Sequence, residues 1–157
     1  LEVSDQVDER YHLEKATQAA CDYLNKAKRS TGSWTMAAAA YNAGLAGMNK
    51  QTTFQQTTNY YDLYLNSETS RYVFRILAVK EIMKHPKKYG FIFDKKHLYN
   101  ELPTYNVMVD STIENLSDFA KSQNITYKEL KNYNPWLRDR KLDNKDGKTY
   151  YIRIPKK

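Results

Sequence analysis

The run Ala37–Ala40, set inside SWTMAAAAYNAG, leaves little freedom in how this part of the chain folds. Alanine has the highest helix propensity and almost no side chain, so the run predicts a thin helix that neighbours approach closely. Ser33 stands in front as an N-cap, and Gly44 can supply the left-handed C-cap behind. The helix therefore covers Trp34 to about Ala43, with Trp34 as a core anchor. Tyr41 and Asn42 place two hydrogen-bonding groups at its end. That pairing predicts that something sits close to the helix end.

The residues on either side are also mostly helical. DERYHLEKATQAACDYLNKAKRS carries Leu13, Ala16, Ala20, Tyr23, Leu24 and Ala27 at the spacing of one apolar face. GLAGMNKQTT reads as a loop with two glycines, and FQQTTNYYDLYLN as a short helix with irregular ends. SETSRYVFRILAVKEIMKHP gives the clearest helix. Tyr72, Val73, Ile76, Leu77, Val79 and Met83 lie on one face, with Lys80 among them, and Pro86 lies just past the end. Residues 87–103 lose the period. Gly90 and Pro103 punctuate them, and Tyr89, Phe91 and Phe93 alternate as in an extended piece.

After Pro103 the pattern changes. TYNVMV alternates like a strand. Ser111 and Glu114 stand at capping-box spacing before a helix with Ile113, Leu116, Phe119 and Ala120 on its apolar face. Thr126 and Glu129 repeat the box before Leu130 and Tyr133, and Pro135 stops that helix. KTYYIRIP is a second strand, with Tyr150, Ile152 and Ile154 on one face. Strand, helix, helix, strand in roughly 50 residues is near the lower size limit for independent folding.

The chain has 157 residues, 41% apolar and 27% charged, which excludes a disordered polymer. No apolar run is long enough to cross a bilayer. The net charge of +7 lies wholly in residues 121–157, where 11 basic residues face 4 acidic ones. Such a tail suits a nucleic acid, an anionic membrane surface or an acidic wall polymer, and equally a solvated basic face. The 14 tyrosines suit wet, partly apolar surfaces. The lone Cys21 reads as a buried structural thiol. His12, His85 and His97 have no metal-ligand spacing and read as solvent-exposed; no metal or cofactor is suggested. The chain starts at Leu1 with no signal-like segment, the expectation for a processed or truncated piece.

Four stretches of the first part resemble, in order and spacing, the lytic murein transglycosylases of the membrane-bound transglycosylase D type. They are VDER at 7–10, ATQAACDYL at 16–24, WTMAAAAYNAG at 34–44 and ETSRYVFRILA at 68–78. The end of the chain, YNVMVDSTIENLSDFAKSQNITYKELKNYNP and then GKTYYIRIP, is similar to a LysM module. Asp110-Ser111-Thr112 stands where such modules usually have Gly-Asp-Thr. The resemblance implies a mainly α fold: part of a lysozyme-like helical domain over 1–86, a linker over 87–103 and a small βααβ LysM-type module over 104–157.

It also implies roles. Tyr41 would hydrogen-bond a catalytic acid or position the sugar, Asn42 would hold the cleft backbone, and Glu68 and Tyr72 would support its wall. Glu68 alone is equally an ordinary first-turn acid favoured by the helix dipole. A LysM glycan groove would map to Asp110, Ser111, Thr112 and Ile113 on one side and Asn134, Pro135, Trp136 and Leu137 on the other. Trp136 could stack on a sugar or fill the small core. The family uses one Glu, as acid and then base, to cut the bond after N-acetylmuramic acid and leave a 1,6-anhydro sugar. Neither its Glu-Ser motif nor the following Gly-x-Trp-Gln-Phe type motif is in this sequence. The expectation is that the acid lies upstream of Leu1 and that no catalytic residue is present here; Glu9 reads as a structural carboxylate beside Arg10, and Glu14 as an exposed helix residue. Implied partners are peptidoglycan glycan strands in the periplasm or cell envelope, with any membrane link through a missing N-terminal segment. No nucleic-acid motif accompanies the basic tail. The alternative is a non-catalytic wall-glycan binder.

Overall fold

A computed structural model describes residues 1–156; Lys157, the last residue of the predicted module, lies outside the described residues. The elements run α1 (Leu13–Thr31), α2 (Trp34–Ala43), α3 (Leu45–Gln55), α4 (Ser67–Lys84), β1 (Thr104–Val109), α5 (Leu116–Ser122), α6 (Tyr127–Tyr133) and β2 (Tyr150–Pro155). Short 3₁₀ turns at Glu9–Tyr11, Tyr60–Asp62, Pro86–Tyr89 and Lys95–His97 stand between them. The fold class is the expected one, helices followed by a small βααβ unit. Packing divides the chain into two units. One holds Ala20–Leu98; the other joins Leu1–Ala19 to the chain from Tyr99 onward.

The helical unit is built around the alanine run. Ala37, Ala39 and Ala40 have no exposed surface and pack with Ala27, Met36, Met48, Tyr60, Leu63 and Val73. Small side chains let the helices approach closely, and tight packing is what makes even one added methylene costly there. Ser33 caps α2 by accepting from the Met36 amide at 3.1 Å. At the other end Gly44 takes a positive φ of 79°, and its N–H donates to Ala40 O. The Tyr23 hydroxyl donates to Ala40 O at 2.9 Å and accepts from Leu45 N at 3.1 Å, which closes the helix end and starts the next helix.

That next helix corrects the sequence reading: GLAGMNKQTT is not a loop but most of α3, of which only Met48 is buried. FQQTTNYYDLYLN, by contrast, is the end of α3 and a single 3₁₀ turn at Tyr60–Asp62. The expected apolar face of α4 is only partly used. Val73 is buried, whereas Ile76, Leu77, Val79 and Met83 are exposed. Trp34 is likewise 58% exposed and anchors no core, because Met36, two residues on, points inward in its place. Cys21 is exposed and not a buried thiol, since the inward side of α1 is taken by Tyr23 and Ala27.

In the second unit β1 and β2 pair antiparallel, Thr104 opposite Pro155 through Val109 opposite Tyr150. Alternation puts Val109, Tyr150, Ile152 and Ile154 inward onto Leu116, Ala120, Leu130 and Leu142. The Thr126–Glu129 capping box forms as the spacing predicts. The Ser111–Glu114 pair does not. Asn115 caps α5 instead, because residues 112–114 are drawn into an extended pairing, Ile113 with Leu142. The core of this unit also holds Val7, which is 2% exposed.

Candidate functional site

Tyr41 is 46% exposed and meets Tyr23 edge-on, with ring centroids 5.6 Å apart. Asn42 is half-buried and accepts from the Thr69 hydroxyl at 2.9 Å, tying the end of α2 to the first turn of α4. Glu68 is exposed and paired with Arg75 at 2.9 Å. With Tyr72 it borders a shallow apolar groove along α4, floored by Ile76, Val79 and Met83. A separate cavity of about 490 Å³ lies beside Thr69, lined by Met48, Gln51, Tyr64 and Asn66. Asn42 is thus joined to α4, while Tyr41 and the Glu68–Tyr72 pair face different surroundings.

In the βααβ unit Asp110, Ser111 and Thr112 are exposed and Ile113 is half-buried. Thr112 accepts from Asn144 N at 3.0 Å, so this loop is fastened to the loop before β2. Of the four residues expected opposite it, only Pro135 is exposed. Asn134 has no exposed surface; its amide donates to Leu130 O at 2.9 Å and Arg153 O at 2.7 Å, and accepts from Arg153 N at 2.7 Å. Leu137 is fully buried, and Trp136 stacks on Tyr150 with centroids 5.8 Å apart. Their side chains belong to the core, which for Trp136 is one of the two readings the sequence left open. The Trp136–Arg138 backbone is occupied as well. Asp8 N donates to Trp136 O at 2.9 Å and Arg138 N to Gln6 O at 2.7 Å.

A cleft that the sequence reading missed opens on the other side of Asn134–Trp136. It measures about 450 Å³ and is closed by Tyr11–Lys15 and by Asn106, Tyr151 and Arg153 of the outer sheet face. His12 is half-buried there and not exposed as expected, because its ring rests against Trp136 at 5.9 Å. Its Nδ1 is buried 3.3 Å from Glu14 Oε2, at an angle that makes no hydrogen bond. The cleft joins residues more than a hundred positions apart; the only sequence trace is the polar half of each alternating strand.

Every carboxylate whose titration is clearly displaced is displaced downward. Hydrogen bonding to the Arg10 guanidinium lowers Asp8, and Arg153 lowers Glu14. Lys88 lowers Glu81, and Lys141 with the Gln6 amide lowers Asp143. Burial raises Glu9, but the Lys15 ammonium and the Glu2 N–H outweigh it. A general acid for glycosidic cleavage requires the opposite displacement. A stability consequence follows. Depressed folded-state values stabilise the fold above the ordinary carboxylate values of 3.8 and 4.5, and that contribution is lost as pH falls through the lower folded values. Thermal melting should therefore be steady from pH 7 to about 5 and drop steeply below pH 4; a melting point unchanged at pH 3 would contradict it. The Tyr150 phenol is displaced the other way, pushed up to about 12 by burial and by the nearby Glu2.

No group of acidic, His or Cys side chains among the described residues could hold a metal ion. No helix among them is long and apolar enough to cross a membrane. Residues 1–63 match the model of the transglycosylase SLT domain, and residues 105–157 that of the soluble lytic transglycosylase C-terminal LysM-like domain. Membrane-bound lytic murein transglycosylase D of Escherichia coli K12 is 26% identical over 162 residues, covering 96% of this chain. The same-named protein of Escherichia coli O6:H1 matches equally. The chain spans 33% of the length of these curated relatives. Residues 1–63 are thus similar to a transglycosylase SLT domain and residues 105–157 to a LysM-like domain, and over most of its length the chain is similar to membrane-bound lytic murein transglycosylase D.

Proposed function

We propose that this chain binds peptidoglycan glycan strands as the C-terminal part of a lytic murein transglycosylase of the cell envelope. The observation that carries the reading is the succession of an SLT match and a LysM-like match in one chain. Residues 1–86 are assigned to the transglycosylase part, 87–103 to a linker and 104–157 to the LysM-like module. Exposed loop atoms around Asp110, Ser111, Thr112 and Pro135 make the expected glycan contacts. Tyr41, Asn42, Glu68 and Tyr72 support the transglycosylase cleft wall. The reaction is cleavage between N-acetylmuramic acid and N-acetylglucosamine with formation of a 1,6-anhydro end, with no carboxylate of this chain assigned as its acid.

A second reading, a non-catalytic wall-glycan binder, is favoured by one observation: each displaced carboxylate here is held as an anion by a basic partner. Both readings give the same first result. The chain co-sediments with purified insoluble murein at low and at high salt. Retention only at low salt would reduce the interaction to counterion-driven attraction of the basic tail to a polyanion. No retention at either salt would refute both readings. Release of 1,6-anhydro products by this chain alone would show that one of its carboxylates does serve as the acid.

A further inference from the structure

The cleft between Tyr11–Lys15 and β2 has the properties of a site for an uncharged, hydroxyl- and amide-bearing ligand. Its volume, about 450 Å³, lies within the usual range for small-ligand pockets. Its cations are already matched: Arg153 pairs with Glu14, and Lys15 with Glu9. No unmatched charge is left to hold an anion. Two amides are among the polar groups free to bond. Asn132 and Asn106 both line it and are exposed, and neither side chain has a hydrogen-bond partner among the described residues. An amide donates and accepts at once, as a sugar hydroxyl or an N-acetyl group does. Apolar contact comes from the exposed ring of Tyr151, a flat amphipathic surface that suits the C–H face of a pyranose. The Tyr11 ring is already covered by the Arg138 guanidinium at 4.5 Å, which fixes that wall in place.

We propose that this cleft is a binding site for N-acetylhexosamine units of a glycan strand, formed jointly by the start of α1 and the outer face of the β1–β2 sheet. The site rests on the glycan-binding reading above but lies elsewhere than the Asp110–Ile113 loop. It also makes the LysM-like module dependent on residues outside its own sequence.

The test is titration of the full chain with an N-acetylglucosamine tetramer, followed by intrinsic fluorescence and by sedimentation with murein. Asn132→Ala and Tyr151→Ala are compared with a double variant, Asp110→Ala with Ser111→Ala. All four residues are exposed, so circular dichroism and melting should match the parent chain. The expected result is a loss of roughly tenfold in affinity for each cleft variant, separate from any loss the loop variant shows at its own contacts. A loss confined to the loop variant would overturn the cleft and leave the glycan-binding reading standing. Cleft variants that sediment with murein like the parent chain would overturn it too. Failure of the parent chain to bind either the tetramer or murein would overturn both readings together.

Discussion

Asn134→Ala should lower the unfolding free energy by about 2–4 kcal/mol, because it strips three hydrogen bonds from a site with no access to water. The amide joins the last turn of α6 to β2, donating to Leu130 O and Arg153 O and accepting from Arg153 N. Alanine cannot replace any of these, and the side chain has no exposed surface through which water could enter. The neighbouring Pro135 is exposed, so Pro135→Ala serves as the control and should stay within about 0.5 kcal/mol. Urea denaturation of the three chains compares them directly. A midpoint for Asn134→Ala equal to that of Pro135→Ala would mean that the bracket is not structural. Asn134→Asp separates donor from acceptor. The carboxylate still accepts from Arg153 N but cannot donate to two carbonyls, so it should be at least as destabilising.

Asn134 shows how far the sequence could be read. The Asn-Pro pair was legible as a helix stop, and the resemblance placed it beside a glycan groove; its burial was not legible, because it depends on Arg153 in a strand 19 positions away. Local signals survived into the structure. Ser33, the Thr126–Glu129 box and the alternation of β1 and β2 each act within a few residues. The readings that changed are those settled by distant neighbours. Ser111 lost its capping role to the Ile113–Leu142 pairing, and α3 formed where two glycines suggested a loop. On α4 the period was read correctly as helical, yet periodicity does not say what covers a face; Ile76, Leu77, Val79 and Met83 are exposed. At the candidate sites, Tyr41 and Asn42 were legible as a polar helix end. The aromatic and amide cleft was not, since its walls come from opposite ends of the chain.

Val7→Asp in the full chain should unfold the βααβ unit, although residue 7 lies nearly a hundred positions before β1. Val7 is 2% exposed inside the core formed by Leu137, Ile152 and Ile154. Around it the segment adds to the Trp136–Arg138 backbone like a short edge strand, with amide bonds on both sides of the valine. The Gln6 amide grips Asp143 twice, accepting from its N–H and donating to its carboxylate. The Tyr150 hydroxyl donates to Glu2. A carboxylate in place of Val7 would be buried with no basic partner designed for it, at a cost of at least about 3 kcal/mol. A unit this small has only a few kcal/mol of stability in hand, so the loss is decisive. Val7→Ala, which removes only apolar contact, should cost about half as much. Hydrogen exchange reads the result where it matters. The amides of β1 and β2 should lose protection in Val7→Asp, partly in Val7→Ala, while those around Ala37–Ala40 are the internal reference. Unchanged protection of β1 and β2 in Val7→Asp would show that the module holds itself together without the start of the chain. Loss of protection would mean that the transglycosylase-like beginning and the LysM-like end share one hydrophobic core, and that cutting between them destroys the very surface the module was expected to carry alone.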